Sequence, residues 1–258
     1  MIRIKRGEDL RRMRDACRIA AQVLQYMKNL AGPGISTWDL DQEARKKMLS
    51  LGATSACYGY RINQRTPSYP AYTCISVNEE VIHGIASMKR VLLDGDLVSL
   101  DVVVSYEGMI GDNATTVAIG EVGPEKRKLL ETTRECLDRA IAAAINGGRV
   151  GDISSAMQTC AEAAGFNVVR DFVGHGVGYS MHEDPQVPCF GRRGTGDRLR
   201  PGMTLAIEPM VTAGSPSVEV LSDGWTAVTR DRRPAAHFEH TVLITEDGPE
   251  VLTRPEAA

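Results

Sequence analysis

The chain has 258 residues, of which 43% are apolar and 24% charged, with a formal net charge of −3. These are the proportions of an ordinary folded globular protein, and they exclude a disordered, fibrous or collagen-like chain. At roughly 100–200 residues per domain, the length allows one large domain or two small ones, with a core that needs no disulfide or metal staple.

The first six residues are basic, but Gly7-Glu8-Asp9-Leu10-Arg11-Arg12 follows where a signal peptide needs its apolar stretch. No run approaches the roughly 20 apolar residues of a membrane-spanning helix. Six scattered cysteines with no CxxC pair read as free thiols of a reducing compartment. The expectation is a cytoplasmic monomer with no membrane partner. Seven Lys/Arg against three acids in residues 1–18 fit a solvated helix face, with a transient ribosomal RNA contact as the second reading. The acidic net charge is not that of a sequence-specific nucleic-acid binder, for which a pI above about 9 is expected.

Apolar residues recur at Leu10, Met13, Cys17, Ala20, Leu24, Met27 and Leu30, steps of three and four that define an amphipathic helix closed by Gly32-Pro33-Gly34. Ser36 or Thr37 caps a second helix through Leu40, Ala44 and Met48, with Gly52 as its stop. Residues 97–119 are rich in β-branched side chains around a Glu107-Gly108 turn signal. A third helix begins near Glu125 and runs to Gly147-Gly148, Asp152 caps a fourth that ends at Gly165, and strands follow from Met203 onward.

Leu10 and Glu125, Gly34 and Gly148, and Gly52 and Gly165 are offset by 115, 114 and 113 positions. Such a near-constant offset points to an internal duplication, two unrelated helical hairpins being the alternative. Helix pairs followed by runs of strands favour an α+β fold with helices backing an antiparallel sheet. The expected organisation is one domain over 1–258, with related halves at about 8–120 and 124–250.

The five histidines all lie after residue 82. A hairpin over 97–119 turning about Tyr106-Glu107 sets Asp101 directly opposite Asp112, with Cβ atoms roughly 5 Å apart, where like charges repel. Two close buried carboxylates need a proton, a basic partner or a cation. An exposed aspartate facing a turn aspartate is the other reading. His175 stands between Gly174 and Gly176, which leaves its ring unobstructed, and His182-Glu183-Asp184-Pro185 follows. Glu208 and Glu239 are single carboxylates in apolar strands, a placement that calls for a partner. Asp101, Asp112, His175, Glu208 and Glu239 together make an oxygen-rich set with one nitrogen. That set suits two divalent cations (Mn, Fe, Co or Zn) and hydrolytic chemistry.

Seven motifs in order carry a resemblance: Asn78-Glu79-Glu80-Val81-Ile82-His83-Gly84-Ile85, Asp94-Gly95-Asp96 through Asp101, Gly111-Asp112, Gly174-His175-Gly176, His182-Glu183-Asp184-Pro185, Ile207-Glu208-Pro209 and Glu239-His240-Thr241. Over nearly its whole length the sequence resembles the type I methionine aminopeptidases. The resemblance implies the pseudo-twofold pita-bread fold and removal of the initiator methionine from nascent polypeptides, favouring a small second residue. It implies that Asp112 and Glu239 bridge two metals, Asp101 chelates one, and His175 with Glu208 holds the other. Glu208 would also be the general base, His83 and His182 would contact the scissile amide, and the free α-amine would bind the metal that Asp101 chelates. It also implies a methionine pocket of Cys57, Tyr60, Tyr69, Cys74, His182 and Trp225, positions that ordinary core packing explains equally well without it.

The sequence departs from the family pattern at three places. Met181 stands where an aromatic is usual, residues 62–71 are about six residues longer than the compact bacterial form, and His237 replaces the more usual Gln. Only 33 positions separate His175 from Glu208, too few for the helical insertion of type II enzymes. Neither a zinc-finger nor a proline-rich extension is expected before the catalytic region. Two alternatives remain at this stage: a proline-specific peptidase of the same fold (a prolidase or aminopeptidase P), or a non-enzymatic binding module.

Overall fold

A computed structural model describes residues 1–254. In chain order it has α1 (Glu8–Leu30), α2 (Thr37–Ser50), β1 (Thr54–Ser55), β2 (Cys74–Val77), β3 (Glu80–Ile82), β4 (Leu97–Tyr106), β5 (Met109–Ala118), α3 (Pro124–Ala143) and α4 (Val150–Ala163). There follow β6 (Asn167–Val168), β7 (Val173–Gly176), β8 (Glu183–Pro188), β9 (Thr204–Ile207), β10 (Met210–Thr212), β11 (Val218–Val220), β12 (Ala227–Thr229), β13 (Ala235–His237), β14 (Glu239–Ile244) and β15 (Pro249–Val251).

The apolar stripe of α1 is buried as its spacing predicts, including Met13, Cys17, Ala20, Leu24 and Met27. Each fully buried Leu or Met contributes roughly 1.5–3 kcal/mol. Glu8 and Asp9 in the first turn and Lys28 in the last complement the helix dipole. Of the two cap candidates for α2, Ser36 is the one used, accepting the Asp39 N–H at 3.1 Å. In α4 the expectation needs correction. Arg149 is the cap, and Asp152 lies in the first turn, its carboxylate accepting the Arg149 N–H at 2.8 Å. A carboxylate three residues in ties down the same free backbone donors that a cap would.

The β4–β5 hairpin also differs from expectation. Its two central residues are Glu107 and Gly108, with φ of 46° and 77°, so Tyr106 pairs Met109 and the register shifts by two. Positive φ at both positions is the turn geometry that matches strand twist, and Glu-Gly supplies it. Asp101 therefore faces Ala114, and Asp112 faces Val103. A shift of two preserves parity, so both aspartates still share one face as diagonal neighbours.

All strand pairings are antiparallel. A nine-stranded sheet runs β1-β4-β5-β14-β9-β7-β8, with β2 beside β4 and β15 beside β14. Two small sheets, β13-β10-β6 and β11-β12-β3, flank it. Helix α1 packs on β4 and β5, and α3 packs on α4, each pair closing its own apolar core. Strands begin well before Met203, because β6, β7 and β8 are too short or too rich in Gly and Pro to show alternation. β9 and β10 are separated by Glu208-Pro209, and β13 and β14 by Phe238, so the chain steps from the large sheet to a small one at the first break and from that small sheet back to the large one at the second.

Candidate active site

Five strand or strand-end positions converge. Asp101 lies on β4, Asp112 on β5, His175 on β7 and Glu239 at the start of β14, while Glu208 fills the break after β9. Pairing of Ala114 with both Asp101 and Glu239, and of Ala206 with both His175 and Thr241, puts all four strand residues on one sheet face. One ligand atom each from Asp112, His175 and Glu239 lie within 4.8 Å of one another. His175 Nε2 is 3.5 Å from Glu208 Oε1 and 3.9 Å from Asp112 Oδ2.

Two of the carboxylates are deeply buried, Asp112 and Glu239 each being 3% exposed. Burial pushes the Asp101 carboxyl up to about 6. Asp112 and Glu239 are held well above the usual carboxylate range, first by burial and then by the neighbouring carboxylates. Asp101 Oδ1, Asp112 Oδ1 and Glu239 Oε1 have no hydrogen-bond partner. Buried carboxylates that repel one another and lack donors meet the condition that divalent cations relieve. With one imidazole among oxygen donors, the residues present fit metal ions.

These groups form one end of a cavity of about 310 Å³ whose walls include Cys57, Tyr60, Tyr69, Cys74, His83, His182 and Trp225. Every site residue read from the sequence borders this one space, as do Met181, Ile62 at the head of the 62–71 segment, and Asp171 and Phe172, to which no site role was given from the sequence. Tyr69 packs edge-on against Trp225 at 5.1 Å, and its hydroxyl donates to the Gly84 carbonyl at 2.8 Å. The Cys74 thiol is held well above its ordinary range by contact with Cys57 and by burial, so it stays neutral. The longer 62–71 segment leaves the wall intact because it forms a closed loop. Gly59 N–H donates to Tyr69 O, Tyr69 N–H to Tyr60 O, and Trp225 Nε1–H to Pro67 O at 3.0 Å.

His83 and His182 are each pushed down to about 4, chiefly by burial, and are neutral imidazoles near pH 7. The Tyr60 hydroxyl lies 2.7 Å from His182 Nδ1, and the His175 and His182 rings meet edge-on at 4.4 Å. His83 stands at φ 59°, a conformation costly for a residue with a Cβ, and its ring meets Phe172 edge-on at 5.7 Å. A Cβ at Gly84 would come within 2.3 Å of the Ile75 carbonyl oxygen, so the backbone beside His83 packs against β2 with no side chain between them.

Lys5 was not among the expected site residues. Its ammonium is buried, 2.7 Å from Glu183 Oε2 and 3.0 Å from the Val177 carbonyl. Glu183 in turn accepts the Tyr179 and Ser180 N–H groups, so this pair braces the loop that carries His182. Its partner lies across the chain, which leaves no local signal. His237 is buried beside Glu208, outside the cavity lining.

The sequence pattern of the metallopeptidase family M24 matches residues 11–246. Methionine aminopeptidase 1 of Bacillus subtilis is 46% identical over 254 residues, spanning 98% of this chain and all (100%) of that protein. Methionine aminopeptidase B of Synechocystis is 45% identical over 250 residues, 96% of this chain and 90% of that one. Among solved structures, a methionine aminopeptidase from Thermotoga maritima superposes with a TM-score of 0.95 at 46% identity, over 98% of this chain and 100% of that chain. The chain belongs to metallopeptidase family M24, and within it to the methionine aminopeptidases. Its α+β architecture is the pita-bread fold of that group. Among the described residues no helix is long and apolar enough to cross a membrane.

Proposed function

We propose that this chain is a metal-dependent exopeptidase that hydrolyses the N-terminal methionine from nascent polypeptides, favouring a small second residue. The observation that carries the reading is the single cavity in which a wall of aromatic rings and neutral thiols adjoins the carboxylate cluster. Rings and thiols suit a polarisable thioether. Asp101, Asp112, His175, Glu208 and Glu239 would hold two divalent cations (Mn, Fe, Co or Zn). When bound, such cations supply a nucleophile at neutral pH and neutralise charge on the attacked carbonyl.

The protein groups do the rest. Cys57, Tyr60, Tyr69, Cys74, His182 and Trp225 enclose the methionine side chain, and the buried carboxylates favour a free α-amine at the cleft. Glu208 takes up the proton of the attacking water and returns it to the departing amine. His83 and His182, neutral at working pH, present N–H groups to the scissile amide and its developing oxyanion. For His182 the donor is Nε2–H in the tautomer whose Nδ1 accepts from the Tyr60 hydroxyl, 2.7 Å away.

The chain acts as one catalytic domain over 1–258, with the halves at about 8–120 and 124–250 contributing Asp101 and Asp112 from the first and His175, Glu208 and Glu239 from the second. It works in the cytoplasm as a monomer. Arg11, Arg12, Arg14 and Arg18 all pair with carboxylates, which favours a solvated helix face over ribosomal RNA contact. The test is cleavage of Met-Gly-Met-Met with Mn or Co present. Loss of the first residue only, abolished by chelation, supports the reading. Cleavage of X-Pro peptides instead, or of no peptide, overturns it.

A further inference from the structure

His237 ends β13 and is 2% exposed, and its Nε2 has no hydrogen-bond partner. That nitrogen lies 3.5 Å from Glu208 Oε2, while the other oxygen, Oε1, lies 3.5 Å from His175 Nε2. No side chain donates a hydrogen bond to the Glu208 carboxylate among the described residues, and the His237 Nε2 is one of the two imidazole nitrogens that stand 3.5 Å from it. A buried imidazole without a partner costs about 1–3 kcal/mol, so its aim at a carboxylate calls for a functional account.

The backbone that carries the ring is held on both sides. The His237 N–H donates to Thr116 Oγ1 at 2.8 Å, and its carbonyl accepts from the same hydroxyl at 2.8 Å. Thr116 is itself buried and bonded to Ser99 at 2.8 Å. On its other side His237 pairs with Met210, the second residue after Glu208. These tethers therefore fix the His237 backbone relative to the Glu208 segment. All five ligand candidates border the cavity and His237 does not, which argues against direct ligation.

We propose that His237 is a positioning residue for Glu208. Its Nε2–H holds Oε2 and so commits Oε1 to the His175 side of the metal site. This inference rests on the metal-site reading given above. A ligand's outer hydrogen-bond partner fixes its orientation, and its removal lowers metal affinity about 10- to 100-fold.

The test is calorimetric titration of chelator-treated protein with Mn²⁺ alone, for the wild type, His237→Ala and His237→Gln. The expected result is a 10- to 100-fold weaker binding step in His237→Ala, with most of the affinity restored in His237→Gln, whose amide N–H has similar reach. If the Ala variant does not fold by circular dichroism, His237→Asn, polar but too short to reach Glu208, takes its place. Wild-type affinity and stoichiometry in the short variant would overturn the inference while leaving the metal site standing. Absence of Mn²⁺ binding in the wild type would overturn both. With Co²⁺ bound, a ligand-field spectrum that differs between His237→Gln and wild type would mark His237 as a direct ligand and overturn the positioning role.

Discussion

Tyr60 and His182 meet with the phenol oxygen 2.7 Å from the imidazole Nδ1, and with the hydroxyl as donor this contact keeps the ring proton on Nε2. Removing the hydroxyl frees the other tautomer, in which Nε2 has no hydrogen to offer the amide. Tyr60→Phe should lower kcat for Met-Ala-Ser by about three- to tenfold, the rate equivalent of a hydrogen bond worth about 0.5–1.5 kcal/mol. Steady-state kinetics check this, and a rise in KM with unchanged kcat would make Tyr60 a pocket wall only.

Asp112 and Glu239 are crowded buried carboxylates that the fold tolerates at a cost. Asp112→Asn and Glu239→Gln should each abolish peptidase activity. In chelator, however, they should melt above the wild type, because one repelling charge has gone. Thermal melts with and without chelator separate this from general destabilisation.

Gly174 sets the backbone beside His175. A Cβ there would sit 2.4 Å from the Ala206 carbonyl oxygen, so Gly174→Ala has to part β7 from β9. Overpacking of this kind costs about 1–3 kcal/mol. The displacement moves His175, so both Tm and Mn²⁺ affinity should fall. A lower Tm with unaltered affinity would detach the sheet spacing from the site.

The α1 and α2 helices were legible because their apolar residues recur every three or four positions and their buried faces are continuous. The metal-ligand candidates were legible because Glu208 and Glu239 interrupt apolar strands and His175 sits between glycines. The hairpin register was not, since it depends on the φ signs of Glu107 and Gly108 rather than on hydrophobicity. Lys5 gave no signal because its partner, Glu183, is set by tertiary closure. Phe172 and Ile62 reach the cavity only through loops whose path no local pattern encodes.

Asp152 accepts N–H groups from Gly194 and Arg149, which hold its carboxyl below the usual 3.8. A carboxyl depressed in the folded state adds stability above the unfolded pKa, and that increment is lost as pH falls through the folded pKa. The stability gap between wild type and Asp152→Ala should therefore be full at pH 6 and shrink as pH drops below 3.8. Denaturant melts across that range check it, and a gap independent of pH would remove the ionised carboxylate from the account.

Glu208 and Glu239 stand where two chain segments change sheets, Glu208 between β9 and β10 and Glu239 just past the β13–β14 break. Cations held there would tie the β13-β10-β6 sheet to the large one at the two points where the chain crosses between them. Stripping the metal should therefore speed amide exchange in β10 and β13, including at residues that touch neither ion nor peptide.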